Sequence, residues 1–401
     1  MTRRILQTNS YFDGTELHAN GPYQILIEDG VIQGILDGNP DVLPPDFKNA
    51  DIPVEQAGFV MPGLVEAHCH LFLDGGELDL KKRSNYMKVS KAEMAVVARQ
   101  NVQTNLATGI TLIRDAGDRW GVNHQMRQEM AESDDLVPEI RSPGIGIRKP
   151  KRYGGFMGRE VETSDEIVTA INDILETGDE LKVLLTGIID FETGTVKGAP
   201  QFDVEETKLI VETAHELGRR TFAHCSGLAG LEVAAEAGLD SVEHGFFMTR
   251  DVLEVLAEKQ IAWVPTFSPV YCQWAEPDNI GWDETSVGHL REILDGHFEH
   301  VKMAVDMGVP VVVGSDSGSY GVPHGQAVID EIKFFLEAGI SLEKALNAAT
   351  SLPRRLWAET EVDIKPGNPV ELIGLAATPF ENNAAPWQPS WVMMGDEFQT
   401  L

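Results

Sequence analysis

Between residue 59 and about residue 355, short apolar runs rich in branched side chains alternate with longer amphipathic runs, and this alternation limits the fold more than any other feature of the chain. Strands that are each followed by a helical segment align in parallel, joined by crossover helices. Eight runs read as strands: one around His68, then 110–115, 139–143, 181–186, 221–224, 241–244, 262–267 and 309–316. Eight is the number that closes a (β/α)8 TIM barrel, so the fold class expected is α/β. Helices are predicted over 91–108, stopped by Gly109, and over 204–217, opened by Asp203 with Glu206 three residues on and closed by Gly218. A doubly wound open sheet competes with the barrel, but no GxGxxG follows the first strand.

The two chain ends follow another pattern. Near the start, ArgIleLeuGln and the runs 23–28 and 31–36 read as strands, the last two joined by Asp29 and Gly30 as a hairpin turn. After Lys365, Pro366 and Gly367, the runs 370–375 and 391–394 are again strand-like. The two ends are predicted to meet in one small β-sandwich, residues 1–57 with 360–401, around an inserted barrel domain, residues 58–359.

In a barrel, chemistry sits where strands end. The polar residues there are His68, His70, Asp115, Lys182, His224, His244 and Asp316. Reading 59–71 as one buried strand, interrupted near Pro62 and Gly63, puts His68 and His70 on one face, the common first half of a metal site. A single strand-end histidine is more often structural. Lys182, in LeuLysValLeuLeuThrGly, is harder to dismiss, because a buried lysine loses its charge or finds a strong partner. Asp316 poses the same problem for a carboxylate, and metal coordination answers both. His215, His289, His297 and His300 fall in helical stretches and read as solvated or packing residues.

The order HxH, Lys, His, His, Asp on successive strand ends resembles the metal-dependent amidohydrolase superfamily. The contexts MPGLVEAHCH, LKVLLTG, FAHCSG, VEHG and GSDSG, then SLEKALNAATSLPRRLW and IKPGNP, are similar to its motifs over essentially the whole chain. The similarity is strongest to the branch of imidazolonepropionase-like enzymes and microbial metal-dependent prolidases. One departure is that AlaAsp usually follows the glycine of the last turn, where this chain has Asn368 and Pro369, away from the strand-end site. The resemblance implies two divalent ions, zinc first, with manganese, iron or cobalt as alternatives. It also implies that Lys182 is carboxylated by CO2 and bridges them, with His68, His70 and Asp316 on one ion and His224 and His244 on the other. Paired metals lower the pKa of a bridging water, and Asp316 would take its proton and hand it to the leaving nitrogen.

The function implied is hydrolysis of an amide bond in a small molecule, for instance an Xaa-Pro-like dipeptide or an N-acyl amino acid. A cyclic-amide or carbamate hydrolase and a deaminase-type enzyme are the alternatives in the same fold. Deaminase-like relatives generally lack the bridging lysine, so Lys182 counts against that one. A non-catalytic structural relative would typically have lost metal ligands, and none is missing.

The loop after the third strand carries Arg148, Lys149, Lys151, Arg152 and Arg159 in a strongly acidic chain, with 32 basic and 63 acidic residues and a net charge of −31. Because an arginine fork binds a carboxylate through two parallel hydrogen bonds, Arg148, Arg152 or Tyr153 is expected to anchor a substrate carboxylate, with His324 in GlyValProHisGly as a lesser candidate. The acidic balance argues against nucleic acid and anionic membranes as partners. Cys69, Cys225 and Cys272 form no CxxC, and strand alternation turns Cys69 and Cys225 away from the ligand face. With no apolar signal-like core near the start and no run of membrane-spanning length, a cytoplasmic homo-oligomer acting on a small-molecule amide is expected.

Overall fold

The structure, a computed structural model, describes residues 1–38, 42–49, 51–358, 360–379 and 387–401. Residue 359, where the inserted segment is expected to end, and residues 380–386 of the expected terminal segment lie outside the described residues.

Both chain ends enter a single eight-stranded sheet, in the order Glu397–Thr400, Pro389–Met394, Glu371–Leu375, Val54–Pro62, Arg3–Phe12, Tyr23–Glu28 and Val31–Asp37, with Leu17–His18 added beside Arg3–Phe12. Its ladder is continuous, so the expected small sandwich is, in hydrogen-bonding terms, one sheet. The predicted hairpin turn forms at Asp29 and Gly30, whose φ values of 49° and 71° are those a tight two-residue turn requires. Alternation along the strands serves two cores. Val60, Leu372 and Met393 pack in the sheet's own cluster, whereas Phe59, Met61, Ile373 and Val392 join the main core of the inserted segment.

The inserted segment is α/β with parallel strands and intervening helices. Leu64–Cys69, Ile110–Asp115 and Glu139–Arg141 form one parallel sheet. Gly146–Arg148, Glu180–Leu184, Arg220–Cys225, Ser241–His244 and Ala262–Val264 form a second, with Gly158–Glu160 at its edge. The predicted run 309–316 is not a regular strand, yet it joins the two sheets. Val311 bridges to Trp263 and Ser317 to Cys69, both parallel, and the Asp316 amide donates to the His68 carbonyl at 2.7 Å. At the other margin the Asp179 amide donates to the Ser142 carbonyl at 3.0 Å, and Ile147 pairs with Val183. The helix predicted from Asp203 starts at its expected cap, Asp203 with Glu206 forming a reciprocal capping box, and Ser90 with Glu93 and Thr163 with Glu166 form two more. The stretch after the seventh strand reads in the sequence as a long loop, residues 268–287, but part of it is helical. Ser268–Ala275 is a helix whose first amides, Phe267 and Ser268, donate to Glu331, a partner far away in sequence.

The run 59–71 proves to be two strands in two sheets. The Gly63 amide donates to the Glu371 carbonyl of the terminal sheet, while the next amide, Leu64, donates to the Gly109 carbonyl. Gly63 crosses close over Thr111: a Cβ there would lie 2.1 Å from Thr111 Oγ1, which is itself held by Arg354 Nη2 at 2.6 Å. Gly63→Ala should therefore destabilise the fold by about 1–3 kcal/mol. Urea unfolding is the measurement, and an unchanged midpoint would mean that the crossing relaxes freely.

Candidate metal centre

His68, His70, Lys182, His224, His244 and Asp316 line one cavity of about 460 Å³ at the carboxyl ends of the parallel strands. His68 lies near the end of Leu64–Cys69, Lys182 within Glu180–Leu184, and His224 and His244 at the ends of Arg220–Cys225 and Ser241–His244. Ring centroids are 5.7 Å apart for His68 and His70, 5.0 Å for His68 and His244, and 4.7 Å for His224 and His244. Asp316 Oδ1 is 3.6 Å from His70 Nε2 and 3.9 Å from His68 Nε2. His68, His70 and Asp316 offer donor atoms that all lie within 4.8 Å of one another. Asp115 does another task. Its carboxylate accepts from the Leu71 and Gly117 amides at 2.9 and 2.7 Å, which braces the turn beyond His70.

Among the described residues each histidine has one ring nitrogen engaged in a hydrogen bond and the other left over. His68 Nδ1 meets Glu243 Oε2 at 2.6 Å, His70 Nδ1 the Gly117 carbonyl at 3.3 Å, His224 Nε2 the Gly187 carbonyl at 3.4 Å, and His244 Nδ1 the Thr266 hydroxyl at 2.8 Å. Such partners fix tautomer and ring orientation, as the outer residues of metal sites do. Burial, followed for three of the four by the nearby lysine, pushes the imidazoles down, His70 and His224 to about 3, so they stand neutral with a free lone pair. Lys182 is 1 % exposed, and burial lowers it to about 8. Its Nζ lies 4.7 Å from the Phe222 ring centroid and has no hydrogen bond among the described residues. Backbone strain gathers at the same place: His244, Thr266 and Asp316 have φ of 68°, 50° and 56°, in the left-handed region that such side chains rarely adopt. This donor set, four neutral imidazoles with a carboxylate and an unpartnered amine, suits divalent metal ions.

Behind the ligands lies a buried charge network that sequence reasoning missed. Glu243, whose other oxygen accepts from Arg114 Nη1 at 3.1 Å, links His68 to Arg114. The guanidinium also forks onto Glu180 at 2.7 and 3.0 Å and lies 4.1 Å from both the Phe222 and Trp357 ring centroids. Glu66, raised to about 7 by burial, accepts from the His68 and Ser315 amides at 3.0 and 2.9 Å and clips the first strand to the segment carrying Asp316. One signal was available: Glu66 and Glu180 precede His68 and Lys182 by two residues on the same strand face, where a carboxylate needs a buried partner.

Of the expected substrate contacts, only Tyr153 lines the cavity, its ring 4.9 Å from that of His224. Arg148, Arg152 and His324 are not brought there. The Arg148 guanidinium donates to the carbonyls of Gly158, Lys149 and Arg152 and pairs with Glu160 at 2.7 Å, so it ties its own loop together. Arg152 donates to the Ala199 carbonyl. His324 is buried between Ser317 Oγ and the Leu73 carbonyl, each at 3.2 Å. Among the described residues no helix is long and apolar enough to cross a membrane.

Residues 59–358 match the amidohydrolase family. The chain is similar to an uncharacterized protein of Mycobacterium tuberculosis, 28% identical over 351 residues and covering 86% of each chain. It is similar to the ochratoxinase of Aspergillus niger, 23% identical over 389 residues, covering 89% of this chain and 78% of the other. A crystal structure of an Xaa-Pro dipeptidase with bound methionine superposes with a TM-score of 0.83 at 21% identity, covering 100% of both chains.

The link from Glu243 to His68 carries its own prediction. Glu243→Gln should lower divalent-metal affinity by about 10–100-fold, because the neutral amide orients and polarises His68 less well. Competition with a chelator measures it, and wild-type affinity in the variant would show that His68 is held by other means.

Proposed function

Because the chain belongs to the amidohydrolase family, we propose that it is a metal-dependent hydrolase that cleaves an amide C–N bond in a small molecule, and that its joined parallel sheets act as a (β/α)8 barrel. The observation that carries this reading is the set of four histidines, three buried and His224 half-buried, each with one ring nitrogen engaged and one spare among the described residues, around Lys182 and Asp316.

These donors exceed what one tetrahedral ion uses, which supports two divalent ions, zinc first. His68, His70 and Asp316 would hold one, His224 and His244 the other. Lys182 would serve both as a carbamate: its amine adds to CO2 with loss of a proton, and the anionic product offers two oxygens where an ammonium would repel cations. Bound ions of this kind supply Lewis acidity that acidifies water and polarises a carbonyl.

The chain's own residues do the rest. Asp316 lies 3.6 Å from His70, and its carboxylate takes a proton from the attacking water and returns it to the departing nitrogen. Tyr153, tilted against His224 in the cavity lining, would offer its hydroxyl or its ring to the substrate. Phe156, Ile189, Phe191, Phe246 and Trp282 make the remaining lining largely apolar and aromatic, which excludes water and suits a hydrophobic amide such as an N-acyl amino acid or an Xaa-Pro-like dipeptide.

Screening dipeptides and N-acyl amino acids for released amine tests the reaction class. Protein purified after growth with zinc should carry about two ions per chain. Lys182→Ala should be metal-poor and inactive, with partial rescue by acetate or propionate; retention of both ions would rule out the carbamate. Asp316→Asn should keep the histidine-bound metal yet lose about 10²–10⁴-fold in kcat, since an amide cannot accept the proton. A wild-type rate in that variant would assign the base elsewhere.

A further inference from the structure

A second chamber of about 740 Å³ adjoins the metal-centre cavity, and Leu73, Phe156, Ser319 and Tyr320 line both. It is bounded by the segment after His70, including the helix Leu80–Tyr86, and by the start of the helix Lys91–Ala107. Its lining is apolar at Tyr86, Met87, Val89 and Val97. Its charges are already engaged: Arg83 donates to the carbonyls of Asp74, Glu77 and Gly318, and Lys82 pairs with Glu77 at 3.1 Å. Two further observations point to a ligand that runs between the spaces. The Tyr320 hydroxyl, on the shared wall, is buried with no hydrogen-bond partner among the described residues, and so is Trp282 Nε1 in the lining of the metal-centre cavity. Buried donors in that condition call for an acceptor. Lys197, a cation besides Lys182 in the metal-centre lining, sits 3.4 Å from Asp190.

We propose that the substrate is two-lobed: a long aliphatic or aryl acyl group fills the second chamber, the Tyr320 hydroxyl donates to a substrate oxygen at the junction, and the amino-acid half lies toward Trp282 and Lys197. This inference rests on the amide-hydrolase reading and adds to it the acyl class and the direction in which the substrate lies. Phe156, whose ring centroid is 6.5 Å from that of His70, marks where one lobe passes into the other. A substrate with a short acyl group leaves the chamber's apolar wall facing water and forgoes that burial.

The test compares N-acetyl-, N-octanoyl- and N-dodecanoyl-phenylalanine, as substrates of the zinc-loaded enzyme and as ligands of the metal-free protein by calorimetry. kcat/KM should rise at least tenfold from acetyl to octanoyl. Val97→Trp and Met87→Trp, which fill the chamber away from the metal ligands, should each lower the octanoyl-to-acetyl ratio about tenfold, with melting temperature as the check on folding. Tyr320→Phe should raise KM more than it lowers kcat. Cleavage indifferent to acyl length and to both tryptophan variants overturns the chamber and leaves the hydrolase reading standing. No cleavage, with octanoyl bound at least tenfold tighter than acetyl and that preference lost in Val97→Trp, keeps the chamber and removes the hydrolase reading. Equal binding without cleavage removes both.

Discussion

The arrangement of the catalytic end depends on one buried guanidinium. Arg114, 2 % exposed, is wedged between the rings of Phe222 and Trp357 and hydrogen-bonded to Glu180, Glu243 and Ser241, so side chains from several parallel strands converge on it. A planar fork with five donors satisfies this geometry where a lysine would not. Burial alone would raise Glu180, but the Arg114 and Arg141 guanidiniums outweigh it and hold it below the usual carboxylate range. Removing Arg114 would leave Glu243 buried without a cationic partner and Glu180 with Arg141 alone, a far larger loss than the net worth of the pairs. Through Glu243 the same cation sets the orientation of His68, and so connects packing under the site with the donors in it.

Burial then determines what the donors are. The imidazoles are neutral because desolvation penalises their charge, and neutral imidazole is the form that ligates metal. Positive φ at His244 and Asp316 turns these side chains at the points where their strands end, a cost that the surrounding hydrogen bonds must offset. The Asp316 amide is tied to the His68 carbonyl, the Glu66 carboxylate to the Ser315 amide, and the His244 carbonyl to Trp263 Nε1, so neither strained residue hangs on a free loop.

The basic loop shows where local reading fails. Counting cations between residues 148 and 159 suggested a carboxylate anchor, but a guanidinium takes whichever acceptor is nearest in space. For Arg148 these are Glu160 and the carbonyls of its own loop. A loop of backbone carbonyls has to be braced before it can present Tyr153 and Phe156 to a cavity, and the arginines do that bracing. Similarly, the helix Ser268–Ala275 was invisible because the carboxylate that caps it, Glu331, comes from another helix.

By itself the sequence determined the alternation of strands and helices, the capped helix start at Asp203, the strand-like runs at both chain ends, and seven polar strand-end residues, six of which the family resemblance singles out and the cavity gathers. These are encoded by spacing along the chain: period two on strands, three-residue capping intervals, and polar residues where apolar runs stop. Tertiary structure alone decided the switch of partner at Gly63, the carboxylates that orient the histidines, the idle donors on Tyr320 and Trp282, and the second chamber beside the metal centre. Each of these depends on which distant segments approach within a few ångström. That distance is set by packing, and no spacing within one segment records it.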